Sequence, residues 1–142
     1  MSSLFSRIIT GEIPCHKVAE NDEFMAFLDI MPLAKGHTLV IPKLETDYIF
    51  DIDDESYQRL WLFAKQVAGT LRLHVPCKRI GLSVIGLEVP HAHVHLIPLN
   101  TMDEMRFVNK VSMSPNDLED LALSFDGVNK CFAMQAGREL RV

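Results

Sequence analysis

Three histidines stand at alternate positions in the segment His91-Ala92-His93-Val94-His95. In an extended strand, successive side chains point to opposite faces, so the three imidazoles would share one face and the apolar residues between them the other. The apolar row would pack into the core and hold the strand in place. The spacing therefore predicts a rigid row of imidazoles on one surface.

Three kinds of role fit such a row. It could supply zinc ligands, although the flanking sequence offers no evident acidic or thiol ligand and we predict no metal. It could be a polar face with coincidental histidines, but three of only six histidines fall at perfect alternation. Imidazole is also a nucleophile, because its ordinary pKa of ~6.5 leaves a neutral nitrogen near pH 7. We favour nucleophilic and acid-base chemistry at a phosphorus atom.

Hydrophobic periods and turn residues predict the elements that position this row. Helices are expected at residues 4–10 and 54–74, capped by Ser3 and Asp53, and from Pro115 to about Phe125. Strands are expected at residues 17–20, 23–29, 37–41, 78–85 and 91–99. Strands that neighbour in sequence tend to pair, which indicates an α+β fold: an antiparallel sheet of about five strands, one long helix and short terminal helices, with the helices on one face.

The composition limits what the protein binds. The 142 residues fit one domain, and 48% hydrophobic with 23% charged residues is ordinary for a globular protein. The net charge of -5 gives no positive field for a polyanion, so no nucleic-acid partner is expected. An anionic substrate would have to be held by local donors.

Localisation and redox state follow from simple absences in the sequence. No apolar run approaches the ~20 residues of a membrane span, and the N-terminus lacks the pattern of a signal peptide. We therefore expect no membrane partner and a cytoplasmic location. The three cysteines, Cys15, Cys77 and Cys131, lack a CxxC pairing and are expected to be reduced thiols.

Three segments carry a resemblance to a known family. HAHVHLIP, from His91 to Pro98, resembles the HxHxHxx signature of the histidine triad (HIT) superfamily. The opening LFSRIITGEIP and the stretch FMAFLDIMPLAKGHTLVIPK, from Phe24 to Lys43, extend the likeness to the Hint-like branch. The resemblance implies one HIT-like domain over residues 1–142, with its core at about 4–100 and a C-terminal extension at 101–142.

The resemblance implies a reaction and a role for each histidine. His93 would attack the α-phosphorus of a purine nucleoside phosphate derivative and form a nucleotidyl-histidine intermediate, which water or another acceptor resolves. His91 would hold the other nitrogen of the nucleophile or its surroundings, His37 would join this network, and His95 would reach the phosphate. The implied protein is a phosphoramidase-like hydrolase or transferase, without a cofactor, that forms a homodimer.

The same resemblance assigns the nucleoside. Asp29 would accept hydrogen bonds from two ribose hydroxyls, although it could also be a turn residue before Met31-Pro32. An apolar pocket would hold the purine base between an aromatic face and aliphatic edges. Its matching residues are Phe5, Ile8, Phe27 and Ile30.

The chain departs from the family pattern in the loop before the triad. Leu87 stands where Gln is expected, Glu88 where Ser or Thr is expected, and Ser83 is a shifted replacement for Asn. An ionised Glu88 would repel a phosphate, a protonated one could donate to a leaving group, and a surface-turn role is equally open. A dinucleoside polyphosphate hydrolase, a nucleotide-binding module with little turnover and a metal-dependent hydrolase remain alternatives. Ser3 to Ser6 has no cysteines, so the structural zinc of some bacterial relatives is not expected.

Overall fold

The computed structural model describes residues 2–108 and 110–135, with side chains described up to residue 125. Its helices are α1 (Leu4–Ile9), α2 (Asp54–His74) and α3 (Pro115–Gln135). Its strands are β1 (Lys17–Glu20), β2 (Phe24–Leu28), β3 (Thr38–Pro42), β4 (Arg79–Ser83) and β5 (Val94–Leu99). None of the described helices combines the length and apolar composition that crossing a bilayer requires.

The strands form one antiparallel sheet in the order β1-β2-β3-β5-β4, so the predicted five-stranded α+β fold is confirmed. A tight turn joins β1 to β2. The Asn21 side chain closes it, because its Oδ1 accepts hydrogen bonds from the backbone N–H groups of Glu23 at 2.9 Å and Phe24 at 2.7 Å.

Both faces of the sheet are covered. The larger core lies under α2 and α3 and takes one set of alternate strand residues: Phe24, Ala26, Leu28, Val40, Val94 and Leu96. The other set packs with Phe5 of α1 on the opposite face: Met25, Phe27, Leu39 and Ile41. The two long helices therefore share one face as predicted, whereas α1 lies on the other, beside the histidines.

The helix caps are those that the sequence predicts. Ser3 Oγ accepts from Ser6 N at 3.1 Å, and Asp53 Oδ1 accepts from Ser56 N at 2.9 Å. The C-terminal helix begins at Pro115 as expected but continues to Gln135 instead of ending near Phe125. The helix passes through Gly127, and an interior glycine costs a helix only about 1 kcal/mol relative to alanine.

The histidine strand is shorter than predicted. The structure has β5 starting at Val94 and β4 ending at Ser83, so residues 84–93 form a connecting segment rather than a short turn. Pairing with β3 ends at Val40 opposite Val94, and the carbonyl of His91 accepts a side-chain hydrogen bond instead of a ladder bond. The predicted alternation nevertheless persists, because Ala92 packs in the larger core together with Val94.

Candidate active site

Four buried histidines meet on the α1 side of the sheet: His37, His91, His93 and His95. His37 comes from the turn before β3, where Gly36 has φ +93°. A Cβ at Gly36 would lie 3.0 Å from Val75 Cγ2, so this turn has room for glycine alone and delivers His37 to the sheet beside His95.

The ring of His93 is fixed by the main chain. Its Nδ1 lies 2.8 Å from the carbonyl oxygen of His91. A carbonyl only accepts hydrogen bonds, so Nδ1 carries a proton, and in the neutral form of the ring the lone pair is on Nε2. Phe5 meets the ring edge-on, with 4.9 Å between ring centroids. Nε2 is thus the nitrogen left for nucleophilic attack, and His91 holds His93 through its backbone and not through its ring.

The ring of His91 links three parts of the chain. Its Nε2 donates to the carbonyl of Pro42 at 2.8 Å, which leaves Nδ1 to accept from the Ser3 hydroxyl at 2.8 Å. Burial lowers the pKa of His91 below its ordinary value, in keeping with a neutral ring. The start of α1 and the end of β3 therefore determine where the His91 carbonyl lies.

Glu45 completes this network and is not among the predicted site residues. Its Oε1 accepts from Ser6 Oγ at 2.5 Å and from the backbone N–H of Ser3 at 2.8 Å. These two hydrogen bonds, the one from Ser6 foremost, lower the pKa of Glu45 to about 2. The spacing of Ser3 and Ser6 was a signal for such a cluster, but nothing local in the sequence points to Glu45 as their partner.

His37 and His95 form a hydrogen-bonded pair of rings, here called the relay. The backbone N–H of Leu33 donates to His37 Nδ1 at 3.0 Å, so the proton of His37 is on Nε2, which donates to His95 Nδ1 at 3.0 Å. The remaining proton of His95 is then on Nε2. Burial is the main cause that lowers the pKa of His37 to about 4 and of His95 to about 3, so both rings are neutral near pH 7.

Asp29 has one oxygen in a turn and one near the relay. Its Oδ1 accepts from the backbone N–H of Met31 at 2.9 Å, so the turn role considered for this residue is present. Its Oδ2 lies 3.6 Å from His37 Nε2. Burial raises the pKa of Asp29 above its ordinary value. The carboxylate also lines the cavity described next, so the two roles coexist.

A cavity of about 690 Å³ opens in front of His93 and His95. This volume is typical of small-molecule sites. Its lining includes every predicted base-pocket residue and both predicted acids: Phe5, Ile8, Phe27, Ile30, Asp29 and Glu88. The rings of Phe5 and Phe27 meet edge-to-face, with 5.7 Å between their centroids. Ser83 pairs with His95 across the ladder but does not line the cavity, because β4 is the edge strand.

The segment after β5 supplies two further lining residues, Phe107 and Lys110. The ring of Phe107 meets His95 edge-on at 4.7 Å and His37 at 6.2 Å between centroids. Neither residue could be predicted as part of the site, because this stretch of the sequence has no hydrophobic periodicity and no motif. The C-terminal extension therefore contributes to the site.

Asp29, His37 and His95 form a group that could hold a metal ion, with ligand atoms within 4.8 Å of one another. The donor set fits a cation poorly, because His37 Nε2 and His95 Nδ1 already share a proton at 3.0 Å and the other nitrogen of His37 accepts from Leu33. An ion there would break the relay. Cys15 and Cys77 are free thiols.

Comparison with known proteins assigns this arrangement to a family. The HIT domain model matches residues 10–102, and the chain belongs to that family. An uncharacterized HIT-like protein from Borreliella burgdorferi is 34% identical over 135 residues, covering 84% of this chain and 93% of the relative.

Two further relatives are an enzyme and a protein of known structure. An adenosine 5′-monophosphoramidase from Schizosaccharomyces pombe is 37% identical over 100 residues, covering 69% of this chain and 74% of that protein. The structure of a hypothetical histidine triad nucleotide-binding protein from Sulfolobus tokodaii superposes with a TM-score of 0.79 at 25% identity, over 97% of this chain and 99% of that one. The predicted family and fold are confirmed.

Proposed function

We propose that the protein is a nucleotide hydrolase or transferase that acts at the α-phosphate of purine nucleoside phosphate derivatives, as a phosphoramidase. The observation that carries the proposal is the 2.8 Å hydrogen bond between His93 Nδ1 and the His91 carbonyl. It leaves a lone pair on Nε2 of a histidine that lines the cavity. The 37% identity to the adenosine 5′-monophosphoramidase supports the reaction class.

The reaction takes two steps. In the first, the Nε2 lone pair of His93 forms a bond to the α-phosphorus, and the bond to the leaving group breaks. The leaving group departs with that electron pair and takes a proton from water. In the second, water or another acceptor forms a bond to the phosphorus and gives up its proton to solvent, while the N–P bond breaks and its electron pair returns to Nε2. The His91 carbonyl stabilises the positive charge on the His93 ring between the steps, because it accepts from Nδ1–H.

His95 supplies a hydrogen-bond donor to the phosphate. His95 lines the cavity, and because its Nδ1 accepts from His37, its Nε2–H is the ring donor left for the substrate. The Leu33 backbone fixes the tautomer of His37, so the whole relay is set before the substrate arrives. A donor that needs no reorientation stabilises developing phosphate charge more than a mobile one does.

The nucleoside is held by the apolar lining and by Asp29. Phe5 and Phe27 present aromatic faces and edges to a purine, and Ile8 and Ile30 add aliphatic contacts. Since Oδ1 of Asp29 is taken by the Met31 N–H, Oδ2 is the oxygen available to the ribose hydroxyls. The apolar lining does not select between purine bases.

A binding module with little turnover and a dinucleoside polyphosphate hydrolase are the competing functions. Both depend on the loop in which Leu87, 88% exposed, and Glu88 replace polar residues. Loss of polar contacts to the leaving group would lower turnover without weakening nucleotide binding. Substrate profiling separates the three functions.

A covalent trap tests the proposal. Acid-quenched reactions of the protein with adenosine phosphoramidate should contain an adenylated peptide that covers residue 93. His93→Ala should lose turnover by roughly 10³-fold or more while it still binds AMP in calorimetry. His16→Gln is the matched control, since His16 pairs with Glu119 and does not line the cavity. Turnover that survives in His93→Ala, or AMP binding without turnover by the natural protein, would refute the proposed chemistry.

We propose further that the protein is a homodimer that pairs through an aromatic surface of residues 48–61. Tyr48, Phe50, Tyr57 and Trp61 form a continuous row with centroids 5.4 to 6.2 Å apart, and Phe50 is 66% exposed. Sedimentation should give twice the 16.1 kDa chain mass. Phe50→Asp should halve the sedimentation mass, whereas Leu123→Asp, which changes an exposed residue of α3, should leave it unchanged. A monomeric natural protein would contradict the proposal.

A further inference from the structure

The described lining of the cavity carries one lysine, Lys110, and two carboxylates, Asp29 and Glu88. A nucleotide brings at least one negative charge to this site, and the protein as a whole adds a net charge of -5. Long-range electrostatics therefore oppose phosphate binding, and a local cation has to offset them. Lys110 is the lining residue with that charge.

Phe107 fixes where Lys110 lies. The Phe107 ring packs edge-on against His95 at 4.7 Å, and Lys110 Nζ lies 5.7 Å from the centroid of the same ring. On the far side of Lys110, Val111 N donates to the carbonyl of Pro32 at 2.6 Å. The segment is thus attached on both sides of the lysine. The ammonium group is held on the His95 side of the cavity.

The charges of neighbouring groups agree with this placement. Burial is the main cause that lowers the pKa of His37, and the positive charge of Lys110 is the next. The same charge acts on Asp29 and His95 after larger causes, of which burial is the first. Lys110 therefore acts on the groups that surround the phosphate-facing N–H of His95.

Glu88 lies at the mouth of the cavity. It is exposed, in the segment of residues 84–93 that leads to His91, next to the 88% exposed Leu87. An in-line attack by His93 Nε2 directs the leaving group away from that nitrogen, out of the buried end and towards the mouth. A carboxylate there meets whatever is attached beyond the α-phosphorus.

We propose that Lys110 and Glu88 form a charge selector, an inference that rests on the proposed function. Lys110 binds the α-phosphate oxygens. Glu88 repels leaving groups that carry further phosphate and favours those that carry an ammonium group. With one lysine and two carboxylates in its described lining, the cavity matches a single phosphate attached to an amine-bearing group and disfavours a polyphosphate.

Three substrates and two charge-neutralising variants test the selector. The substrates are AMP joined through a P–N bond to a neutral alkylamine, the same compound with a free ammonium group on the alkyl chain, and diadenosine tetraphosphate. The measured quantity is kcat/KM for each charged substrate divided by kcat/KM for the neutral compound. Glu88→Gln should raise this ratio for the tetraphosphate and lower it for the ammonium compound, each by about fivefold. Lys110→Gln should raise KM for all three by about tenfold and weaken AMP binding in calorimetry by a similar factor.

Matched controls separate local from net charge. Glu55→Gln and Lys65→Gln change the net charge equally but lie on the exposed face of α2, so they should leave the substrate ratios and KM unchanged. The ratio shift in Glu88→Gln should also shrink as ionic strength rises from ~0.05 to ~0.5 M, because salt screens exposed charges.

The outcomes distinguish the two proposals. Unchanged ratios in Glu88→Gln, equal shifts in Glu55→Gln, or wild-type KM values in Lys110→Gln overturn the selector while turnover of the neutral phosphoramidate leaves the proposed function standing. Absence of turnover with all three substrates overturns the proposed function and the selector with it.

Discussion

Each histidine of the site is held through a different set of partners. His93 is fixed by a carbonyl two residues away, His91 by Ser3 and Pro42, and His37 and His95 by each other. The spacing of the triad predicted the face that its side chains share, because alternation is a local property of an extended chain. Spacing could not predict which nitrogen of His91 carries the proton, since Ser3 and Pro42 are distant from it in sequence.

Ser3 is the residue at which helix capping and site geometry meet. Its hydroxyl accepts from Ser6 N and donates to His91 Nδ1. Ser3→Ala should remove a cap, at a cost of about 1 kcal/mol, and leave a buried ring nitrogen without its main donor, at about 1 kcal/mol or more. Urea unfolding should therefore show a loss of about 2 kcal/mol. kcat should fall more than KM rises, because the His91 carbonyl that holds His93 loses support.

The neighbouring Ser2 provides the control for that variant. Ser2 is exposed and precedes the cap, so Ser2→Ala should leave both stability and kcat near their natural values. A loss of stability in Ser3→Ala without any change in kcat would show that the hydroxyl serves α1 alone.

Most elements of the fold could be predicted because their signals are local. The caps at Ser3 and Asp53, the turn at Asn21 and the alternation in β2 all operate within a few residues. Two boundaries were wrong for different reasons. The start of β5 depends on where its pairing with β3 stops, which is a tertiary contact. The end of α3 was expected near Phe125, before Gly127, although an interior glycine costs a helix only about 1 kcal/mol.

Gly36 shows how one turn delivers a site residue. Its φ of +93° is unfavourable for a residue with a side chain. A Cβ atom at this position would also lie only 3.0 Å from Val75 Cγ2 and 3.2 Å from Pro98 Cγ. Gly36→Ala should destabilise the protein by about 1–3 kcal/mol, because it combines backbone strain with overpacking. Gly69 in α2 is the matched control: a Cβ there meets nothing within 4 Å.

The two glycine substitutions should have opposite signs. Gly69→Ala lies in a helix interior and should stabilise by roughly 0.5–1 kcal/mol. Chemical denaturation of both variants provides the measurement. Equal changes in the two free energies of unfolding would mean that the turn before His37 is not under the constraint described.

At the scale of the whole molecule, the larger hydrophobic core and the candidate active site lie on opposite faces of the sheet. The long helices bury one face, while α1, the triad and the segment of Phe107 and Lys110 use the other. Composition predicted a substrate held by local donors, because the net charge is negative. It could not predict that the C-terminal extension supplies the cation, since bringing residue 110 to residue 95 requires the complete fold.

The buried relay should make stability depend on pH. In the folded protein the pKa of His37 is about 4 and that of His95 about 3, below the ordinary 6.5. Below pH 6.5 these two histidines bind protons in the unfolded chain but not in the folded chain. Their contribution to the free energy of unfolding is therefore complete above that pH and is lost as pH falls towards 4. The burial-raised pKa of Asp29 acts in the opposite direction: its contribution is present below the ordinary 3.8 and lost as pH rises through the folded value.

Urea unfolding between pH ~7 and ~5 measures this dependence, at up to about 1.4 kcal/mol per pH unit for each of the two histidines. His37→Asn should reduce the slope by about half, whatever its effect on stability at pH 7. His16→Asn, which replaces a histidine outside the relay, is the matched control. If the slope of His37→Asn equals that of the natural protein, the buried pair is not neutral in the folded state, and the direction of the hydrogen bonds assigned to His95 is wrong.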